Sequence, residues 1–347
     1  NGKFRFGNNQ LSIDGTGMVR QPFIYRTSNS DWLRLTYSTN PLNTAYGEGG
    51  DGTGTNPWNI NGTVVKDGSM SNQQFNTSGF TVTSGSKGYG IITVSGTITV
   101  GSKNLQVNNT YSLGQNDSYV KVTTTIKNIN SSTVTNLRYW VGTKDDAIGT
   151  GGSYDTPKKT RGNLVGGAFQ AISAVASNSS ALLIEHTGTS SSNGTGYGYG
   201  VLFFTNSSRG NTLSNVYNGT NGFNQVTTFN PIGSSSQIVR TGDGAYGMYV
   251  RMNDLAVGGS DSFTWYYATA KLTELNAVAA QIANASINID NITKTYGDNA
   301  FTISATSSST GAITYSAVNS SVATITSNTV TITGAGTTSV TVSQAAD

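Results

Sequence analysis

Short stretches of alternating apolar and polar residues recur along the first 270 positions and constrain the fold more than any other feature. In "GIITVSGTITV" (Gly90 to Val100) the apolar positions Ile92, Val94, Ile98 and Val100 share one parity, as do Val120, Val122, Thr124 and Ile126 in "SYVKVTTTIKNI" (Ser118 to Ile129). A side-chain period of two places successive residues on opposite faces of a strand, so each stretch has one face to bury. The same reading applies to "WLRLTYS", "LRYWVGT", "ALLIEHTG", "YGVLFFTN", "YGMYVRMN" and "SFTWYYATA", all rich in β-branched and aromatic residues and separated by Gly, Asn and Ser clusters. The fold class that follows is all-β and mostly antiparallel, a large β-sandwich or supersandwich. The segment from Ser118 to Thr143, with "NINSST" between two strands, reads as a β-hairpin or meander.

Composition narrows the setting. Only 11% of residues are charged, and Gly alone fills 43 of 347 positions, a balance met in secreted β-proteins. Aromatic residues at 10% supply the buried surface that a disordered chain lacks. With no cysteine, there is neither a disulfide framework nor a thiolate metal site or cysteine nucleophile. The net charge of +3 is spread thinly, without the basic stripe of a nucleic-acid binder, and "PKKTR" (Pro157 to Arg161) reads as a solvated loop. No apolar run approaches the ~20 residues of a membrane span, so direct membrane insertion is not expected. The first residues lack a basic-then-apolar leader pattern, which implies a removed signal or an internal piece.

One stretch has helical spacing: in "KLTELNAVAAQIANA" (Lys271 to Ala285), Leu272, Leu275, Val278, Ala279 and Ile282 line one face. Beyond it the pattern becomes five or six very short strands in about 60 residues, which suits a small immunoglobulin-like sandwich. The expected organisation is therefore a large β-sandwich domain over 1–270, a helical linker over 271–286 and a small sandwich over 287–347.

The tail "TKTYGDNAFTISATSSSTGAITYSAVNSSVATITSNTVTITGAGTTSVTVSQA" (Thr293 to Ala345) resembles the bacterial Ig-like and MBG-type repeats of large Bacteroidota surface proteins, through its "TYGD" turn, its "SSVATI" strand and its "GAGTTSVTV" strand pair. The first 270 residues resemble the β-domain that precedes such arrays in type IX-secreted adhesins, including those linked to gliding, through "IDGTGMVRQPFIYR", "YWVGTKDD", "TRGNLVGGAF" and "YVRMNDLAVGGSDSFTWYYA". The resemblance implies an extracellular, cell-surface location. It also implies further repeats of the same polypeptide as neighbours, and secretion and outer-membrane attachment machinery as partners.

Two loops carry the candidate sites. "AYGEGGDGTGTNPWNINGT" (Ala45 to Thr63) holds Glu48, Asp51 and Trp58 and reads as a calcium loop, a glycan loop with Trp58 as stacking platform, or an ordinary surface loop. "GTKDDAIGTGGSYDTPKKTRGN" (Gly142 to Asn163) follows the strand containing Trp140, which joins Trp58, Asp51 and Asp155 as an expected ligand-binding residue. It brings Asp145, Asp146 and Asp155 together as calcium ligands, as hydrogen-bonding groups for a polar ligand, or as a solvated loop.

Catalysis has little support at this level. The single histidine, His186, neighbours Glu185 on a strand, where adjacent side chains point to opposite faces. A two-carboxylate glycosidase would require Asp145, Asp146, Asp254 and Glu185 to converge. The expectation is a non-catalytic surface adhesin or fibre tip binding an extracellular glycan or surface through its loops. A structural filament subunit or cap and a polysaccharide-active enzyme are the alternatives.

Overall fold

The computed structural model describes residues 2–6, 9–13, 19–26, 30–37, 39–49, 58, 60–83, 87–114, 117–148, 157–186, 198–216, 227–233, 236–284, 287–289, 292, 294–307, 312–317 and 319–344. They form two compact units, Asn1–Val278 and Ala279–Asp347. Among the described residues no helix is long and apolar enough to cross a membrane.

The first unit begins with β1 (Gly2–Phe6), β2 (Asn9–Ile13), β3 (Val19–Arg26), β4 (Asp31–Arg34), β5 (Asn43–Gly49) and β6 (Ile60–Lys66). It continues with β7 (Ser71–Thr83), β8 (Lys87–Val100), β9 (Lys103–Leu113), β10 (Tyr119–Asn128), β11 (Leu137–Thr143), β12 (Lys158–Val165) and β13 (Ala168–Ala171). It is completed by β14 (Ala181–Glu185), β15 (Tyr199–Thr205), β16 (Gly210–Val216), β17 (Val239–Thr241), β18 (Gly244–Arg251) and β19 (Ser260–Lys271). A 14-stranded sheet runs β13-β12-β14-β15-β19-β10-β9-β8-β1-β2-β3-β4, with β7 beside β8 and β17 beside β12. A 5-stranded sheet runs β16-β18-β11-β5-β6. The pairings are antiparallel, and the architecture is the all-β sandwich that the alternation requires.

Both sheets contribute to one core. Ile92, Val94, Val107, Val122, Phe203 and Trp265 come from the large sheet, and Tyr46, Tyr139, Val141, Tyr246 and Met248 from the small one. The strict alternation of β9 and β10 reflects one buried and one wetter face. By contrast, β11 is buried at every position, because a second cluster of Trp58, Ile60, Trp140, Leu213, Ala245 and Tyr249 covers the outer face of the small sheet. This coverage overturns the hairpin expected over Ser118 to Thr143. β10 pairs with β9 and β19, whereas β11 pairs with β5 and β18 in the other sheet. The connection is held by buried Asn128, whose Nδ2 donates to the carbonyls of Ser132 (2.8 Å) and Leu255 (2.9 Å).

A polar ladder crosses the core. Trp265 Nε1 donates to Tyr139 Oη (3.0 Å), Thr124 Oγ1 donates to Asn109 Oδ1 (2.8 Å), and Thr44 Oγ1 donates to the carboxyl of Asp67. Burial pushes the Asp67 carboxyl up to about 6, even though hydrogen bonds from Thr44, Tyr46 and Asn109 pull the other way.

Helix α1 (Leu275–Asn284) follows β19, whose last residue is Lys271, so the helix is shorter than the spacing predicts. The second unit contains β20 (Ile287–Ile289), β21 (Phe301–Thr302), β22 (Ala305–Ser307), β23 (Ile313–Ala317), β24 (Ala323–Thr326), β25 (Thr329–Ile332) and β26 (Val340–Gln344). Its three small sheets pair β20 with β22, β21 and β24 with β25, and β23 with β26. The core is thin, with Ile303, Ala323 and Val330 buried, and a cavity of about 600 Å³ opens beside Phe301, Val330 and Val340.

Candidate functional site

The end of β11 meets the start of β18, because these strands pair antiparallel with Thr143 opposite Tyr246. Asp145 and Asp146 follow β11, and Asp243 precedes β18. Carboxylate oxygens of the three lie within 4.8 Å of one another. Asp243 lies roughly 100 positions from its partners, so strand pairing and not sequence proximity brings it in.

A third segment completes the site. Thr36 forms an antiparallel bridge with Asp146, and Tyr37 N–H donates to the Asp145 carbonyl (3.2 Å). In such a pair Thr36 lies opposite Asp146 and Tyr37 opposite Asp145. Tyr37 is 37% exposed, with Arg34 Cζ 5.7 Å from its ring centroid, whereas Thr36, Asp145 and Asp146 are all buried. The Asp145 backbone is fixed by Thr143, whose Oγ1 donates to the Asp145 carbonyl (3.0 Å) and accepts from Asp145 N–H (3.2 Å).

The two adjacent aspartates therefore differ. Asp145 Oδ2 accepts from Asn40 Nδ2 (2.8 Å), and burial raises its carboxyl to about 6, with the charge and hydrogen bond of Asp243 pushing the same way. Asp146 points inward, where Lys159 Nζ binds its Oδ2 and Gly244 N–H donates to its Oδ1 (2.8 Å). Burial raises Asp146 to about 7, against the pull of Lys159 and Gly244. Both Asp146 oxygens thus have partners within the chain, in a cluster of three acids close enough together to hold a cation. Asp155, the other expected ligand, lies outside the described residues, as does Asp51.

"PKKTR" is no solvated loop. It enters β12, and both Lys159 and Arg161 are 0% exposed. Arg161 Nη2 donates to Asn211 Oδ1 (3.0 Å), and burial lowers the guanidinium to about 10. The two tryptophans expected at a ligand are also interior. Trp58 sits beneath Arg251, whose Cζ lies 4.2 Å from its ring centroid, and Trp140 is fully buried. Neither indole presents an open face to a ligand.

The four carboxylates named for a glycosidase do not converge. Glu185 pairs with Lys158 (3.2 Å). Asp254 follows β18 while Asp243 precedes it, so the strand's length, about 25 Å, separates them. His186 is buried, its N–H donating to the Tyr199 carbonyl (3.1 Å).

No protein-family model matches the chain, and neither does any curated protein. Solved structures do match. A bacterial glucoamylase complexed with acarbose gives a TM-score of 0.46 at 8% identity over 83% of this chain, which spans 37% of the glucoamylase. A galactose mutarotase-like protein from Clostridium acetobutylicum gives 0.41 at 12% identity, covering 78% of this chain and 95% of that one. A putative aldose 1-epimerase from Escherichia coli K12 gives 0.42 at 10% identity, covering 78% and 98%. These matches correct the expectation of a non-catalytic adhesin or filament subunit, since the matched chains carry the names of sugar-active enzymes. At such identities the likeness assigns no residue a role.

Proposed function

We propose that the first unit catalyses proton transfer on a sugar, with the Asp145–Asp243 carboxyl pair as acid and base and Tyr37 as the surface on which the ring rests. The observation that carries this reading is the buried Asp145 carboxyl clustered with that of Asp243, with the exposed Tyr37 ring on its backbone partner. The nearby Asp243 carboxyl helps burial to raise Asp145, which therefore keeps its proton up to about pH 6.

The closeness selects the chemistry. Glycosidases flank the scissile bond with carboxyls separated by about 5 Å or more. The Asp145–Asp243 pair, with oxygens within 4.8 Å, sits closer than that. It does match two oxygens carried by a single carbon, as in the hemiacetal of a free aldose. Asp145, held protonated, donates to the ring oxygen while Asp243 accepts the proton of the anomeric hydroxyl. The ring opens, the carbonyl rotates, and the reverse transfer closes it on either face. Asn40 orients the acid through its bond to Oδ2.

Polarimetry of freshly dissolved aldoses tests the reading. The chain should speed anomeric equilibration above the buffer rate, and Asp145→Asn and Asp243→Asn should each lower that rate at least a hundredfold. Equilibration at the buffer rate across a panel of hexoses and pentoses would overturn it.

A further inference from the structure

The Lys159–Asp146 pair adjoins the proposed dyad without belonging to it. Both side chains are 0% exposed, and they join β12 of the large sheet to the chain just beyond β11 of the small one. Both groups are held in contact away from water. An amine pressed against a carboxyl is a nucleophile facing its electrophile once the proton between them has moved.

We infer that Lys159 and Asp146 condense into an intramolecular amide that covalently joins the two sheets. The ammonium first passes a proton to the carboxylate. The Nζ lone pair then attacks Cγ, forming the C–N bond, and the Cγ–Oδ2 bond breaks. The two protons that nitrogen sheds leave with that oxygen as water, so the step is a dehydration with no change of oxidation state. The Asp243 carboxyl, clustered with Asp146, is placed to pass a proton from the nitrogen to the departing oxygen.

The surroundings suit the product. An amide retains one N–H and one carbonyl oxygen. The Gly242 carbonyl, 2.7 Å from Nζ, is ready to accept from that N–H, and Gly244 N–H, 2.8 Å from Oδ1, is ready to donate to that oxygen. The product is therefore fully hydrogen-bonded without rearrangement. Gly244 helps to make this possible, because a side chain there would meet Lys159 Cε at 3.3 Å and the Asn215 carbonyl at 2.3 Å.

The intact mass of the purified full chain decides the matter. Condensation makes it lighter than the sequence mass by one water, about 18 Da, and protease digestion should release a branched peptide joining the segments around positions 146 and 159. Lys159→Arg keeps the charge but should restore the full sequence mass and abolish the branched peptide. A wild-type chain at its full sequence mass, with Lys159 and Asp146 on separate peptides, leaves only an ion pair and overturns the inference. The readout is independent of sugar turnover, so either proposal can fail without the other.

Discussion

Tyr37 and Asp145 are register partners beside the Thr36–Asp146 bridge, an exposed phenol ring on one strand opposite a buried acid on the other. Removing the ring while keeping the backbone should weaken substrate binding and leave the acid in place. Tyr37→Ala should raise KM for a reactive aldose about fivefold, roughly 1 kcal/mol, with kcat little changed and the unfolding midpoint steady. A kcat that falls in step with the rise in KM would assign Tyr37 to the chemistry instead.

The proton on Asp145 gives the rate a pH signature. Its carboxyl titrates near 6, so the acid is lost as pH rises through that value. Between pH 6 and 8 the catalysed part of the equilibration rate should fall about tenfold per unit. A flat profile across that interval would assign the acid to another group.

Asp67 governs stability and not rate. In the folded chain it keeps its proton up to about pH 6, whereas the ordinary value is 3.8. The native state therefore binds more protons between these values, and stability is lost as pH rises through the folded value, on the order of 3 kcal/mol for this group. Asp145 and Asp146 tilt the curve in the same direction. Urea midpoints at pH 4.5 and 7.5 should differ clearly for the wild type and less for Asp67→Asn. Equal differences in the two proteins would remove Asp67 from the account.

Gly247 makes room for an indole. A Cβ there would lie 2.7 Å from Trp140 Nε1, and its register partner Gly142 is equally crowded, 2.3 Å from the Tyr246 carbonyl. Gly247→Ala should cost about 1–3 kcal/mol by overpacking, seen as a lower midpoint in chemical unfolding. Pairing it with Trp140→Phe, which vacates part of the space, should recover some of that loss.

Strand parity was legible from the sequence wherever a strand has one wet face. Val120, Val122, Thr124 and Ile126 are all buried, as their spacing requires. Parity carries no information when both faces are covered, which is why β11 was placed in a hairpin with β10 and Trp140 among the ligand-binding residues. Lys159 and Arg161 looked solvated because nothing local shows that β16 and β18 close over β12. Asp145 and Asp146 stood out as adjacent acids, but their opposite environments depend on the bridge to Thr36. Asp243 carried no signal at all, since only the pairing of β11 with β18 delivers it. Tyr37 was one aromatic among 33, unremarkable until its backbone partner is known.

The three carboxyls of the site arrive from the ends of two paired strands, so their meeting depends on how β11 and β18 are set against each other. A slip of one residue would turn every side chain of β18 to the other face and carry Asp243 away from Asp145 and Asp146. The register of the small sheet and the composition of the site are therefore one property, and neither can be altered alone.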